Sequence, residues 1–220
     1  MSDVLLTYGW VRSSYSALRN LKKHNLQVFV SDSSSIGMSQ LSRFSSGFKK
    51  YTSHYEDENM FISDILNICS SREIKLILPS HNETEIIARH RHKFSDGLVA
   101  MIPDEFHCRM LNNKSDAYDY VSNLGVSIPS RIQYADPNLV SQVLKNRSVE
   151  KTAIKLLTSN SSKGVFYGEN PEHSQSIVKE LIEKYKLIPS RYPQIEEYVK
   201  GEGYGCSVLY SKGEFITHFT

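Results

Sequence analysis

Three cysteines, Cys69, Cys108 and Cys206, are too few and too far apart in 220 residues for a disulfide framework or a zinc site. They fit core or half-buried thiols in a reducing compartment. An excess of one charge is lacking as well. The 26 Lys and Arg against 24 Asp and Glu leave a net charge of +2, so no general attraction to nucleic acid or a membrane surface is implied. The doublets Lys22-Lys23 and Lys49-Lys50 read as solvated surface. No apolar window reaches the length of a membrane span. The opening MSDVLLTYGW has neither the basic region nor the long apolar stretch of a secretory signal, and a cytoplasmic protein is expected. Metal and hydrolase constellations are missing too. His90 and His92 stand at i and i+2 and share no helix face, while His54, His107 and His173 stand alone.

What is present is enough apolar material for a core, 40% hydrophobic residues beside 23% charged, at a length that suits one large domain or two small ones. Val4 to Thr7 is a short apolar run of the buried parallel-strand type. Tyr15, Leu18 and Leu21 then recur at helical spacing, Asn25 suits the helix stop, and Gln27 to Ser31 supplies a second strand. A second round follows: Phe61, Ile65 and Cys69 on one helix face, a strand at Lys75 to Leu78, and a helix at Glu83 to Lys93. Strand-helix-strand repetition predicts a doubly wound parallel sheet with ligands at the carboxyl ends of its strands, near Thr7-Tyr8-Gly9, Asp32 and Pro79 to Glu83.

The dinucleotide fingerprint is absent from the first turn, which reads Tyr8-Gly9-Trp10-Val11-Arg12-Ser13 with one glycine and a bulky Trp10. That argues against NAD or FAD. Arg12 and Ser13 at a helix N-terminus are candidates for holding a substrate carboxylate or phosphate, against the alternative of a surface arginine and an N-cap serine.

Beyond residue 113 the pattern changes. Lys114 opens a helix over Ser115 to Leu124 that Gly125 closes. Strands are expected at Arg131 to Tyr134, Thr152 to Leu157, Gly164 to Tyr167 and Gln194 to Val199, with a helix at Glu172 to Tyr185, which makes a small α+β module. Lys155 falls inside a strand, where a charge needs a partner. The loop Thr158-Ser159-Asn160-Ser161-Ser162-Lys163-Gly164 follows it. Such a loop either turns N–H groups and hydroxyls toward phosphates or is a flexible hairpin with a solvated lysine. Glu196-Glu197-Tyr198-Val199-Lys200-Gly201-Glu202 offers backbone groups to a flat heterocycle and a carboxylate to a ribose. Ser207 to Tyr210 and Glu214 to Phe219 read as a hairpin turned at Ser211-Lys212-Gly213.

Lys114, Lys155, the Ser-rich loop and the Glu196 to Gly205 run stand in the order and rough spacing of the ATP-grasp superfamily. The chain resembles the amino-terminal part of an ATP-grasp carboxylate-amine ligase related to the carbamoyl-phosphate synthase large subunit. "EYVKGEGYGCSVLYSKGEF" is the most specific segment, and "LLTYGWVRSSYSALRNLKKHNLQVFVSDSSS" and "LILPSHNETEIIARHR" resemble the preceding domain of such proteins. The fold class this implies is α/β: a Rossmann-like parallel-sheet domain over 1–103, linking helices over 104–127, an α+β lid subdomain over 128–193, and a hinge with the first strands of the carboxy-terminal subdomain over 194–220.

The resemblance also implies roles. Lys114 and Lys155 would reach the nucleotide phosphates, and Ser159, Ser161, Ser162, Lys163 and Gly164 would close over them. Glu196, Tyr198 and Val199 would hold adenine through backbone groups, and Glu202 would hold the ribose. ATP and Mg2+ are the implied cofactors, with the metal ligands expected beyond Thr220. The loop departs from the family in carrying Asn160 and a single Gly164. The implied function is the ATP-binding part of a carbon–nitrogen ligase that works through an acyl phosphate on a small carboxylate and an amine, without turnover from this chain alone. The alternative is a short non-catalytic nucleotide- or partner-binding module. Homodimerisation, or association through the incomplete carboxy-terminal subdomain, is expected; nucleic acid and membrane are not expected partners.

Overall fold

A computed structural model describes residues 3–159, 164–211 and 213–220. The chain forms two compact units, Met1–Asn112 and Asn113–Thr220.

In the first unit, strands β1 (Val4–Leu6), β2 (Val28–Asp32), β3 (Gly47–Lys50) and β4 (Leu76–Leu78) form a parallel sheet in the order β3-β2-β1-β4. Between them run α1 (Arg12–Lys23) and α2 (Glu58–Arg72), followed by α3 (Glu83–Arg89) and α4 (Glu105–Asn112). Successive residues of β1 and β2 serve opposite faces of the sheet. Leu5 and Phe29 join Phe61, Ile65 and Ile77 in one core cluster, while Val4, Leu6, Val28 and Val30 pack with Leu18 in another. A sheet covered on both sides needs strands apolar throughout, which is why these runs do not alternate. Asn25 ends α1 in the left-handed conformation (φ 63°), which Asn tolerates better than most residues.

Two elements differ from the sequence expectation. The pattern predicts one helix over Glu83 to Lys93, but α3 stops at Arg89 and a separate 3-10 turn spans Arg91–Lys93. Arg91 donates to the carbonyls of Ile102 (2.7 Å) and Val99 (3.2 Å), and buried Phe94 turns the chain inward. The doublet Lys49-Lys50, read as surface alone, forms the end of edge strand β3, with both lysines exposed. A Cβ on Gly47 would meet the Phe29 ring at 2.7 Å, so the strand's entry requires glycine.

In the second unit, α5 (Lys114–Asn123) starts on Asn113, whose Oδ1 accepts from the N–H groups of Ser115 and Asp116. Strands β5 (Arg131–Ile132), β6 (Thr152–Lys155), β7 (Val165–Gly168) and β8 (Gln194–Glu197) form an antiparallel sheet in the order β5-β8-β6-β7. The segment 194–197, grouped with the hairpin by sequence, is therefore an inner strand of this sheet. Helix α6 (Val140–Asn146), which the sequence reading lacks, and α7 (Pro171–Tyr185) cover one face with Val140, Leu144, Val178 and Leu181 against Ile132, Ile154 and Ile195. Burial of each such side chain stabilises by roughly 1.5–3 kcal/mol. Strands β9 (Ser207–Ser211) and β10 (Glu214–Phe219) pair as an antiparallel hairpin whose described residues are all exposed.

Candidate functional site

Side chains alternate along a strand, so with Ile154 and Ile195 committed to the helical core, Lys155, Gln194 and Glu196 take the opposite face of the sheet. There Lys155 Nζ donates to Glu196 Oε2 (2.7 Å) and to the Tyr118 hydroxyl (2.9 Å), and sits 5.3 Å from the centre of the Tyr118 ring. Tyr118 donates to the same Glu196 oxygen at 3.4 Å, and Gln194 Nε2 donates to Oε1 at 2.8 Å. Glu196 is 1% exposed. A carboxylate so deep must carry partners, and this one has a cation and two neutral donors. Burial pulls the Lys155 ammonium down, but its bonds to Glu196 and Tyr118 outweigh burial and hold its pKa above the ordinary lysine value. Lys155 thus has the partner that its place in a strand demands.

Lys114 is held differently. Its backbone N–H donates to Leu157 O (2.9 Å), and its Nζ donates to Leu156 O (3.1 Å), Ser159 O (3.1 Å) and Ser159 Oγ (2.9 Å). All three Nζ acceptors are uncharged. Burial, then the nearby charge of Lys155, depress its pKa, with Glu196 opposing. Gly164 closes the described part of the loop: its carbonyl accepts from Leu156 N–H (2.8 Å), and a Cβ there would overlap Ser159. Ser161, Ser162 and Lys163 lie outside the described residues.

At the far end of β8, Tyr198 N–H donates to Lys151 O (3.0 Å), the last bond of the ladder on that strand. Val199 follows it, 67% exposed, and Tyr198 meets Tyr167 edge-on at 5.8 Å. Glu202 is exposed and accepts from the Tyr204 hydroxyl (2.9 Å). Among the described residues no hydrogen bond or ion pair joins Glu202 to Lys114, Lys155 or Glu196. The structure therefore assembles Lys114, Lys155, Ser159, Gly164 and Glu196, places Tyr198 and Val199 at the end of the same strand, and leaves Glu202 apart.

In the first unit Arg12 and Ser13 are exposed at the start of α1, whose N-cap is Val11. The buried hydroxyl is that of Ser14, which donates to Tyr8 O (2.7 Å). Asp32 is spent on loop geometry, accepting from Trp10 N–H (3.0 Å) and Ser34 N–H (2.7 Å). Glu83, 0% exposed, accepts from the Thr7 hydroxyl (2.6 Å), and its other oxygen has no partner among the described residues. Burial raises its pKa against the bond from Thr7. The Tyr51 hydroxyl accepts from Tyr8 N–H (3.3 Å), and burial and then the charges of Glu83 and Asp32 push its pKa up.

Tyr118 and Gln194 escape the sequence reading as site residues, whereas Thr7 and Glu83 fall in the strand-end segments where it expects a ligand. Of the first two, only Gln194 had a visible signal, the polar–apolar–polar alternation Gln194-Ile195-Glu196. Among the described residues no group of three or more His, Cys, Asp or Glu could hold a metal ion, and no helix is long and apolar enough to cross a membrane.

No protein-family model matches the chain, and no curated protein matches it. Solved structures do. A biotin carboxylase domain of 2-oxoglutarate carboxylase from Hydrogenobacter thermophilus, in complex with MgADP, ADP and bicarbonate, aligns with a TM-score of 0.67 at 13% identity over 91% of this chain and 45% of that one. An L-amino acid ligase from Bacillus licheniformis aligns at 0.64 and 10% identity, over 91% and 45%. A RimK-domain ATP-grasp protein from Sphaerobacter thermophilus aligns at 0.54 and 10% identity, over 90% and 64%. The chain thus spans about half the length of the first two structures.

Proposed function

We propose that this chain, which shares the ATP-grasp fold with those enzymes, is the nucleotide-binding part of an ATP-dependent carboxylate-amine ligase. The observation that carries the reading is Lys114. Its ammonium rests on three uncharged oxygens beside a second lysine that already has its carboxylate. The Lys114–Lys155–Glu196 group keeps one positive charge in excess, partly withdrawn from water, which suits an anionic phosphate tail. In this reading the phosphates displace Ser159 and Leu156 from Lys114 and draw on Lys155. The adenine edge meets backbone at Tyr198–Val199, where the ladder ends. Glu202 takes the ribose after a movement of its exposed segment, and Arg12 and Ser13 remain proposed contacts for the carboxylate substrate.

Magnesium neutralises charge during phosphoryl transfer, but the described residues hold no cluster that fits it. Nucleotide binding without turnover is therefore proposed for these residues, in a cytoplasmic protein. A second reading, a partner-binding module, is favoured by the hairpin, where Val208, Tyr210 and Phe215 share one exposed face.

The test is calorimetric titration with ATP and magnesium. Binding should weaken about 10- to 100-fold in Lys114→Gln, as loss of a charged hydrogen-bond donor predicts. An unchanged affinity would overturn the assignment.

A further inference from the structure

We propose that a cleft of about 370 Å³ in the second unit, lined by Ser115, Arg131, Tyr134, Leu157, Tyr192 and Gln194, binds a small, flat, uncharged molecule that presents an N–H or O–H donor. The volume falls in the range of small-molecule sites. The donor requirement comes from Gln194. Its Nε2 donates to Glu196 Oε1 at 2.8 Å, and because a carboxylate only accepts, the amide orientation is fixed. The other amide atom, Oε1, is buried and has no hydrogen-bond partner among the described residues, on a side chain 8% exposed. An orphaned buried acceptor costs free energy that a ligand donor recovers.

The charge requirement comes from Arg131, the one ionised side chain lining the cleft among the described residues. Its guanidinium is paired with Asp119 and donates to Ser115 O (3.4 Å) and Ser115 Oγ (3.3 Å). It needs no further anion, and it repels a cation. The shape requirement comes from Tyr134 and Tyr192, whose rings lie parallel within 3° with centroids 6.3 Å apart. The Tyr134 hydroxyl donates to Pro193 O (2.8 Å), which fixes that ring as a wall. A flat apolar body lies against such rings, with Leu157 and the prolines 189 and 193 completing the lining.

The cleft is also joined to the lysine cluster, since Gln194 bonds the carboxylate that holds Lys155. Its occupant is distinct from the nucleotide, and the proposal stands whether or not ATP binds.

Ligand-observed NMR on the full chain with two probes tests it: benzamide, a flat ring with an uncharged N–H donor, and methyl benzoate, which keeps the ring and carbonyl but has no donor. Benzamide should bind saturably and methyl benzoate about five- to tenfold more weakly, the worth of one hydrogen bond to a buried acceptor. Gln194→Leu should erase that difference, and Tyr192→Ala should weaken both probes. Saturating ATP should leave benzamide bound. Equal binding of the two probes would assign the Gln194 oxygen to a water and overturn the proposal. So would absence of benzamide binding, or its displacement by ATP. Should Gln194→Leu fail to fold, the probe pair on the wild-type chain and Tyr192→Ala still decide. Failure of ATP to bind would leave the benzamide result standing and refute only the nucleotide assignment.

Discussion

Each unit buries one glutamate almost completely, and the two are treated in opposite ways. Glu196 in the second unit collects a lysine, a tyrosine hydroxyl and a glutamine amide. Glu83 in the first unit has the Thr7 hydroxyl and a long contact of 3.5 Å from Ser80 N–H, with one oxygen unpartnered among the described residues. No cation bonds it. Desolvation penalises the charged form of any buried carboxyl, and only a partnered one keeps its charge cheaply. Glu196 thus holds and positions Lys155, whereas burial drives Glu83 toward its neutral form.

The largest effect is expected from removing the cation beside Glu196. Lys155→Ala leaves a buried carboxylate unpaired and should cost about 3–5 kcal/mol, read as a lowered midpoint of urea unfolding. Lys155→Met combined with Glu196→Gln should recover most of that loss. A double variant as unstable as the single one would show that packing rather than charge sets the cost.

The next effect belongs to Glu83 and to pH. Its folded pKa lies above the unfolded value near 4.5, so the folded state binds the proton more tightly. The stabilisation is complete below the unfolded pKa and is lost as pH rises through the folded pKa, with a limiting slope of about 1.4 kcal/mol per pH unit. Unfolding midpoints measured across that window should fall with pH in the wild type and fall less in Glu83→Gln. A slope that the substitution leaves unaltered would place the titration elsewhere. The smallest effect is expected at Arg12. Exposed and without a side-chain bond or ion pair among the described residues, it should change stability by less than about 0.5 kcal/mol on Arg12→Ala. A larger loss would mean that Arg12 supports the fold.

Much of this architecture was legible. The continuous runs at Val4 and Gln27, the spacing of Phe61, Ile65 and Cys69, and the Glu172 to Tyr185 helix all reflect local periodicity, which a sequence displays directly. Edge strand β3 was not, because Gly47-Phe48-Lys49-Lys50 pairs on one side only and keeps lysines outward, so it shows neither alternation nor an apolar run. The seven-residue α6 has Val140 and Leu144 on one face but is too short to stand out. For the site, Lys155 was readable as a charge in need of a partner, yet the partner lies 41 residues away and the supporting Tyr118 lies 78 residues from Glu196. Such pairings are made by sheet register and by the packing of α5, which leave no trace in local spacing. Glu202 shows the converse: its motif was conspicuous, and its side chain stands with Tyr204, apart from the cluster.

Whether the uncompensated charge of Lys114 receives the phosphate tail is read from the affinity series adenosine, AMP, ADP and ATP on the wild type and on Lys114→Gln. Affinity should climb with each phosphate in the wild type and that climb should largely collapse in the variant, while adenosine binds both equally. An equally steep climb in Lys114→Gln, or no dependence on phosphate number in either protein, would contradict that role.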